Sequence, residues 1–214
     1  MGEIRTGANG GFSGKAGSVI GSKWRGISYI RGLARSINRK STQAQVEQRQ
    51  RFALMVAFLA PLKGLLEQSF GNQDTTRATP YNLALHYNLN HAITGSSPNL
   101  KIDFSKIVLS KGGVGMAAGV QIVSNSTGIV QVTWEPYSNP ITLYGSDQVY
   151  VVLYNVNRSL HVLSLGEAKR STGKVEIAVP PSFSGETVEA MLFFGDEHGT
   201  KFSRTEYVGS VLVF

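Results

Sequence analysis

Few residues in this sequence have the type and spacing that catalysis or cofactor binding requires. Gly14 and Lys15 match the end of a phosphate-binding P-loop, but Asn9 stands where that motif needs its first glycine. Ala16 replaces the Ser or Thr whose hydroxyl would bind magnesium. We therefore predict a flexible glycine arm here and no nucleotide site.

The four histidines do not form a metal-binding pattern. His86 and His91 are five residues apart on a predicted helix, so they lie about 140° apart around its axis and would not share one ion. His161 and His198 fall in separate strand or turn regions. The absence of cysteine excludes disulfides, thiolate zinc sites and cysteine nucleophiles. We expect no catalytic residues, no metal and no cofactor, and hence a protein that is not an enzyme.

The strongest functional signal is a set of basic side chains in the first forty residues. Residues 1–72 contain eleven Lys/Arg and three Asp/Glu, whereas residues 112–214 contain six and nine. The formal net charge of +7 therefore belongs to the front third of the chain. The interaction surface that we predict consists of Lys15, Lys23, Trp24, Arg25, Arg31, Arg35, Arg39 and Lys40.

Three interpretations of this basic segment stay open. It is a solvated strand face and linker, or it contacts a protein, including the acidic C-terminal region of a neighbouring copy. Alternatively it binds nucleic acid, with phosphates on the cations and bases stacked on Trp24 and Tyr29. Trp24 itself is either an exposed stacking platform or an apolar anchor packed on the helices, and we favour the anchor.

The elements that carry these residues begin with short extended segments separated by glycines. Residues 1–32 contain nine of the 24 glycines, which allow turns with positive φ. A helix then starts after Thr42, which has Gln45 at capping-box spacing. Its apolar stripe is Phe52, Met55, Val56, Leu59, Leu62 and Leu66.

Two prolines mark the limits of the helices. Pro61 lacks a backbone donor and predicts a kink or restart near Ala60. Thr79 and Pro80 have the order of an N-cap and a first helical residue, which predicts a helix to about Ile93. The apolar run 52–62 is too short for a bilayer, which needs about 20 residues, so we expect no membrane span.

Beyond Ile102 the hydrophobic period changes from helix to strand. Alternating apolar positions include Val130, Val132 and Trp134, then Val175, Ile177 and Val179, then Val188, Ala190, Leu192 and Phe194. Residues 149–154 are apolar on both faces, as in a central strand. Roughly seven short strands over this region are typical of an immunoglobulin-like or fibronectin-III-like sandwich.

The predicted fold class is therefore α+β. A glycine-rich extended arm and two to three helices precede an antiparallel β-sandwich. We place a domain boundary between a basic arm plus helical region, residues 1–100, and a sandwich domain, residues 101–214. Trp134 is expected in the sandwich core, because it alternates with valines.

Several motifs are similar to those of a known family. They are Gly14-Lys15, Gly21, Trp24-Arg25-Gly26, Arg31, the Phe52 helix, Tyr81-Asn82-Leu83-Ala84, Tyr87-Asn88-Leu89, Ala92-Ile93-Thr94-Gly95, Val151-Val152-Leu153-Tyr154-Asn155 and Pro181-Ser182-Phe183-Ser184-Gly185. On them the chain resembles domain-of-unknown-function family 6266, uncharacterised proteins of Bacteroidota. The resemblance implies the same organisation and a bacterial source. It implies no activity and no site residues.

These observations favour a structural or protein-interaction protein with a sandwich platform and a basic N-terminal docking region. We expect a protein partner or self-association, and a cytoplasmic location because no secretory signal is visible. The alternatives are polyanion binding through the basic arm and a glycan-binding sandwich. For the last, the candidate aromatic side chains are Trp134, Tyr137 and Tyr144.

Overall fold

The chain divides into two compact units, Met1–Thr42 and Gln43–Phe214. Its structure is a computed structural model that describes residues 2–3, 11–34, 40–136 and 144–214. Arg35, Arg39 and Tyr137, which the sequence singled out, lie outside the described residues.

The N-terminal unit is a small antiparallel sheet. Its strands are β1 (Gly2–Glu3), β2 (Gly14–Ala16), β3 (Val19–Trp24) and β4 (Ile27–Gly32), arranged in the order β1-β4-β3-β2. The short extended segments predicted between glycines are thereby confirmed.

A two-residue turn joins β3 to β4. Trp24 pairs with Ile27 across it, and Arg25 and Gly26 have φ values of 47° and 87°. Positive φ at both central positions is typical of a type I′ turn, whose twist matches that of the flanking strands.

Helices open the C-terminal unit as the sequence predicts. Helix α1 (Gln43–Leu59) continues through a 3₁₀ turn, Ala60–Leu62, into α2 (Lys63–Ser69), which places the predicted interruption at Pro61. Helix α3 (Pro80–His91) begins after Thr79, whose hydroxyl accepts a hydrogen bond from the backbone N–H of Asn82 at 3.2 Å. The predicted N-cap is confirmed, and the helix ends two residues before Ile93.

The helical run Gln43–Ser69 is long and apolar enough to cross a membrane, judged by length and composition only. Those criteria are weak evidence, because a core helix of a globular protein meets them too. Within the apolar window of this run 39% of the residues are buried, among them Met55, Phe58, Leu59, Leu62 and Leu66. Phe52, which the sequence places on the same apolar stripe, is 48% exposed.

The strands of the C-terminal unit are antiparallel. A short pair, β5 (Ile93–Thr94) and β6 (Lys101–Ile102), follows α3. A three-stranded sheet has the order β11-β8-β7, and a four-stranded sheet has the order β10-β9-β12-β13. Their ranges are β7 Gln121–Ser126, β8 Ile129–Thr133, β9 Gln148–Asn155, β10 Leu160–Lys169, β11 Lys174–Ala178, β12 Thr187–Gly195 and β13 Glu206–Leu212.

Two hydrophobic clusters lie on opposite faces of the four-stranded sheet. Val149, Val151 and Leu153 of β9 pack with Val132 of β8 in one cluster. Tyr150, Val152 and Tyr154 of the same strand pack with helix residues in the other. Because β9 is covered on both faces, its apolar side chains show no alternation with polar ones. The predicted central strand is confirmed.

The predicted domain boundary between residues 100 and 101 differs from the observed division. Phe58 of α1 lies with its ring centroid 4.9 Å from that of Tyr154 on β9, and the helices share a hydrophobic cluster with the sheet. The helices therefore belong to the same compact unit as the strands. Hydrophobic periodicity identified both kinds of element but could not show that one core joins them.

Candidate interaction surfaces

The cations of the N-terminal sheet are placed by strand register. Lys15 on β2 pairs with Ile20 on β3, and Ile20 pairs with Arg31 on β4. Side chains at directly paired positions point to the same face of a sheet. Lys15 and Arg31 therefore flank Ile20 on one face.

The aromatic side chains join the same face. Tyr29 pairs with Ser22, and Trp24 pairs with Ile27, while Ser22 and Trp24 follow Ile20 at the two-residue period of a strand. Trp24 is 47% exposed and Ile27 is 40% exposed. We call Lys15, Ile20, Trp24, Ile27, Tyr29 and Arg31 the basic-aromatic face.

The opposite face of the sheet is partly covered by the chain itself. A Cβ atom added to Gly21 would lie 2.3 Å from the carbonyl oxygen of Phe12 and 2.7 Å from its ring. Gly21 is therefore required for the close approach of Phe12, which lies across this face. Lys23 is exposed on this opposite face, away from Lys15 and Arg31.

The predicted surface is thus distributed over several places. Arg25 is in the β3–β4 turn and Lys40 is exposed before α1. Sequence reasoning missed Ile20 and Ile27 as members of the face. The signal that could have found them is the Arg25-Gly26 turn, because it fixes the register of the two strands.

Little of the described part of the N-terminal unit is buried. Among its residues with described side chains only Gly21 is buried, and the unit contains 42 residues without a cysteine. Domains of roughly 40 residues usually need disulfides, metals or association to be stable. Residues 1–42 also carry eight Lys/Arg and one Glu. Association with an acidic surface would cover its apolar side chains and neutralise its positive charge.

A second concave surface lies within the C-terminal unit. We call it the loop cleft; its volume is about 670 Å³ and it is formed by Asn72, Gln73, Gly112, Gly113, Val114, Tyr144, Asp147, Asp196, Thr200, Lys201 and Phe202. Side chains tie the loops together. Gln73 Nε2 donates to the carbonyl oxygen of Lys111 at 3.1 Å, and Asn72 Nδ2 donates to that of Thr200.

The two carboxylates of the loop cleft are engaged within the protein. Asp147 Oδ2 accepts from Arg170 Nε at 2.9 Å. Asp196 accepts from the Thr200 hydroxyl at 2.6 Å and from the Lys201 N–H at 2.9 Å. Burial acts to raise the pKa of Asp196, but these hydrogen bonds outweigh it and hold that pKa below its usual value. Both carboxylates therefore act as hydrogen-bond acceptors within the protein.

The predicted glycan-binding aromatics separate in the structure. Trp134 is buried and donates from Nε1 to the carbonyl oxygen of Arg170 at 2.8 Å, which confirms its place in the core and removes it as a stacking platform. Tyr144 is 52% exposed and lines the loop cleft. In the described ranges no group of three or more His, Asp or Glu could hold a metal ion.

Comparison with known proteins identifies the family. A model described as a family of unknown function, DUF6266, matches residues 11–209. The chain belongs to this family. The DUF6266 match confirms the resemblance carried by the sequence motifs, while the expected Bacteroidota source stays a prediction. No curated protein matches the chain.

One solved structure similar to this DUF6266 chain is the fn3 domain of the human collagen alpha-1(XX) chain. The identity is 10% and the TM-score is 0.36, over 49% of this chain and 90% of the other. A TM-score this low carries no argument about the fold, which must rest on the chain's own strand order.

Proposed function

We propose that this protein is a non-enzymatic interaction module whose basic-aromatic face binds an acidic, partly apolar segment of a partner protein. The observation that carries this proposal is the placement of Lys15, Trp24 and Arg31 on one face, with Ile20 between the two cations and Ile27 beside Trp24. Exposed Trp, Tyr and Arg with apolar neighbours are the residues that dominate binding energy at protein interfaces. A cytoplasmic location stays a prediction.

In this proposal the two larger sheets act as a rigid platform, a β-sandwich of the immunoglobulin-like or fibronectin-III-like kind. Strands β7, β8 and β11 form one sheet and β9, β10, β12 and β13 the other, and both contribute to one hydrophobic cluster. The chain passes between the sheets after β8, β10 and β11, which is the connectivity of a Greek-key sandwich.

A second candidate function is binding of single-stranded nucleic acid. Trp24 and Tyr29 lie on the same face as Lys15 and Arg31, and bases stack on aromatic rings while cations contact phosphates. Ile20 and Ile27 favour the protein partner instead, because they offer neither stacking nor charge. The eight cations of residues 1–42 suit both ligands.

Single substitutions on the two faces of the sheet test the proposal. We would measure by fluorescence anisotropy the binding of two labelled probes, an acidic peptide that contains leucine and tryptophan and an oligothymidine. We expect Arg31→Ala and Trp24→Ala to weaken peptide binding about tenfold. Lys23→Ala removes the same charge from the opposite face and should change the affinity by less than about twofold.

Two results would count against this function. Equal losses for Arg31→Ala and Lys23→Ala would mean that net charge, and not the basic-aromatic face, governs binding. Tighter binding of the oligothymidine, with an affinity that falls steeply as salt rises, would replace the protein partner by a nucleic acid.

A further inference from the structure

The loop cleft has the chemistry of a binding site for an uncharged polyhydroxylated ligand. We propose that it binds a neutral saccharide, with the ring of Tyr144 as the stacking surface. The inference is independent of the basic-aromatic face, since every residue that lines the loop cleft belongs to the C-terminal unit.

The size of the loop cleft suits a small ligand. Its volume of about 670 Å³ lies within the range of about 300–1,000 Å³ typical of small-molecule sites. The volume is lined by four separate loop segments, which contribute Asn72, Gly113, Tyr144 and Lys201 among others. A ligand here would contact several loops at once.

Hydrogen bonds between the loops form the loop cleft in advance of any ligand. Gln68 Nε2 donates to the carbonyl oxygen of Gly199 at 3.3 Å, beside the Asn72–Thr200 bond. Val114 N–H donates to the carbonyl oxygen of Phe202 at 3.1 Å. Because these bonds order the walls before binding, less conformational entropy is lost when a ligand enters.

The charges of the loop cleft favour a neutral ligand. The charge of Arg170 compensates that of Asp147. Asp196 accepts a hydrogen bond from the backbone N–H of Lys201. Asp196 and Lys201, the other two charged residues of the lining, have opposite charges, so neither sign of charge dominates. Phosphorylated or strongly anionic ligands gain little from such a surface.

The remaining groups match the needs of sugar hydroxyls. A hydroxyl both donates and accepts, so its site needs both kinds of partner. The amide groups of Asn72 and Gln73 keep their oxygens as acceptors when their nitrogens donate to Thr200 and Lys111. Gly112 and Gly113 bring exposed backbone to the loop cleft. The half-exposed ring of Tyr144 can cover the apolar C–H face of a sugar ring.

The experiment uses the full chain and defined neutral probes. Affinity gel electrophoresis with xylan, mannan, β-glucan and starch would select a polysaccharide, and calorimetry with its hexasaccharide would give the dissociation constant. We expect binding to one probe, a loss of tenfold or more in Tyr144→Ala, and retention within about threefold in Tyr144→Phe.

Further variants separate the site from the rest of the molecule. Gly113→Leu should abolish binding without touching Tyr144, because a Cβ at Gly113 meets no atom within 4 Å and the added side chain would fill the loop cleft. Phe52→Ala, at an exposed aromatic on α1, and Arg31→Ala should bind the hexasaccharide as the unaltered chain does.

The proposal would be overturned if none of the four polysaccharides retards the protein. It would also be overturned if Tyr144→Ala and Gly113→Leu both keep full affinity. Loss of hexasaccharide binding in Arg31→Ala would show that the saccharide site is not the loop cleft. Each result leaves the peptide-binding test of the basic-aromatic face unaffected.

Discussion

Arg170 Nε donates to Asp147 Oδ2 across 2.9 Å, with the two side chains only 1% and 2% exposed. The other guanidinium nitrogens donate to the carbonyl oxygens of Gly115 at 2.7 Å and Met116 at 3.3 Å, and Arg170 Cζ lies 3.7 Å from the centre of the Phe194 ring. Burial lowers the pKa of Arg170, whereas the hydrogen bond and charge of Asp147 act in the opposite direction. Arg170 thereby ties the turn that follows β10 to Asp147, just before β9, and to Gly115 and Met116 in the segment before β7.

Removal of one partner from this pair should be strongly destabilising. Asp147→Ala leaves the Arg170 guanidinium buried without its counter-charge, and we expect a loss of about 3–5 kcal/mol in the free energy of unfolding. Urea denaturation followed by tryptophan fluorescence measures it, since Trp134 donates to the Arg170 carbonyl. Glu176→Ala breaks the exposed Lys174–Glu176 pair and should change the free energy by less than about 1 kcal/mol. Equal effects would contradict this account.

Asn88 on helix α3 holds the backbone of Val108 against that helix by hydrogen bonds. Its Nδ2 donates to the carbonyl oxygens of Ala84 at 2.9 Å and Val108 at 2.8 Å, and its Oδ1 accepts from the Val108 N–H at 2.8 Å. Asn88→Ala would leave the partly buried backbone groups of Val108 without these partners, so we expect a loss of about 1–3 kcal/mol in unfolding free energy. Thermal or urea unfolding measures the loss. Asn90→Ala, at an exposed position on the same helix, should be close to neutral.

His161 should make stability depend on pH. Its ring lies 4.6 Å from Tyr154 and 5.1 Å from Phe58 between ring centroids, and its buried Nε2 has no hydrogen-bond partner within the described ranges. Burial lowers the pKa of His161 from 6.5 to about 4. Because the folded-state pKa is depressed, the unfolded chain binds the extra proton between these values. Stability is then complete above pH 6.5 and falls as pH falls towards 4.

A phenylalanine at position 161 should remove this contribution. The full shift would correspond to about 3 kcal/mol, and solvent contact of the partly buried ring reduces the expected effect to about 1–2 kcal/mol. We would compare urea midpoints at pH 7 and pH 4.5 and expect a smaller difference for His161→Phe. His198→Gln, at an exposed histidine, should retain the original difference; an unchanged difference in His161→Phe would refute the assignment.

Gly21 should be essential to the N-terminal sheet. In Gly21→Ala the new methyl group meets the Phe12 carbonyl oxygen and ring, whereas a Cβ at Gly32 on the neighbouring strand meets no atom within 4 Å. We expect Gly21→Ala to increase the rate of limited proteolysis within residues 11–34 about tenfold or more, which corresponds to at least about 1.4 kcal/mol. Gly32→Ala should be cleaved at nearly the original rate. Similar proteolysis rates in both variants would contradict the close packing of Phe12 against Gly21.

Local patterns in the sequence predicted most of the individual elements. Thr79 and Pro80 specify the start of α3 by chemistry that needs no distant partner. Pro61 likewise fixes the interruption after α1, because the missing donor is a property of that residue alone. The alternation around Val132 predicted a half-buried strand, and the structure buries Val130, Val132 and Trp134.

Local patterns could not predict properties that depend on residues far apart in the chain. Arg170 and Asp147 are 23 residues apart, and nothing in their local sequence distinguishes a buried ion pair from two solvated charges. The loop cleft brings Asn72 close to Thr200 across 128 positions, so its lining could not be inferred. Phe52 fits the apolar stripe of α1 yet is exposed, because the packing of distant elements decides which side chains of the stripe are covered.

The basic residues at the front of the chain show the same difference between what a local sequence specifies and what the tertiary structure adds. By itself the sequence determined that Lys15, Lys23, Trp24 and Arg31 are concentrated in one short glycine-rich segment, because composition and charge are properties of the chain. Only the tertiary structure decided that Lys15, Trp24 and Arg31 share a face and that Lys23 lies on the other. The reason is that the pairing of β2, β3 and β4 fixes the strand register. A shift of one residue in that register would move each side chain to the other face of the sheet.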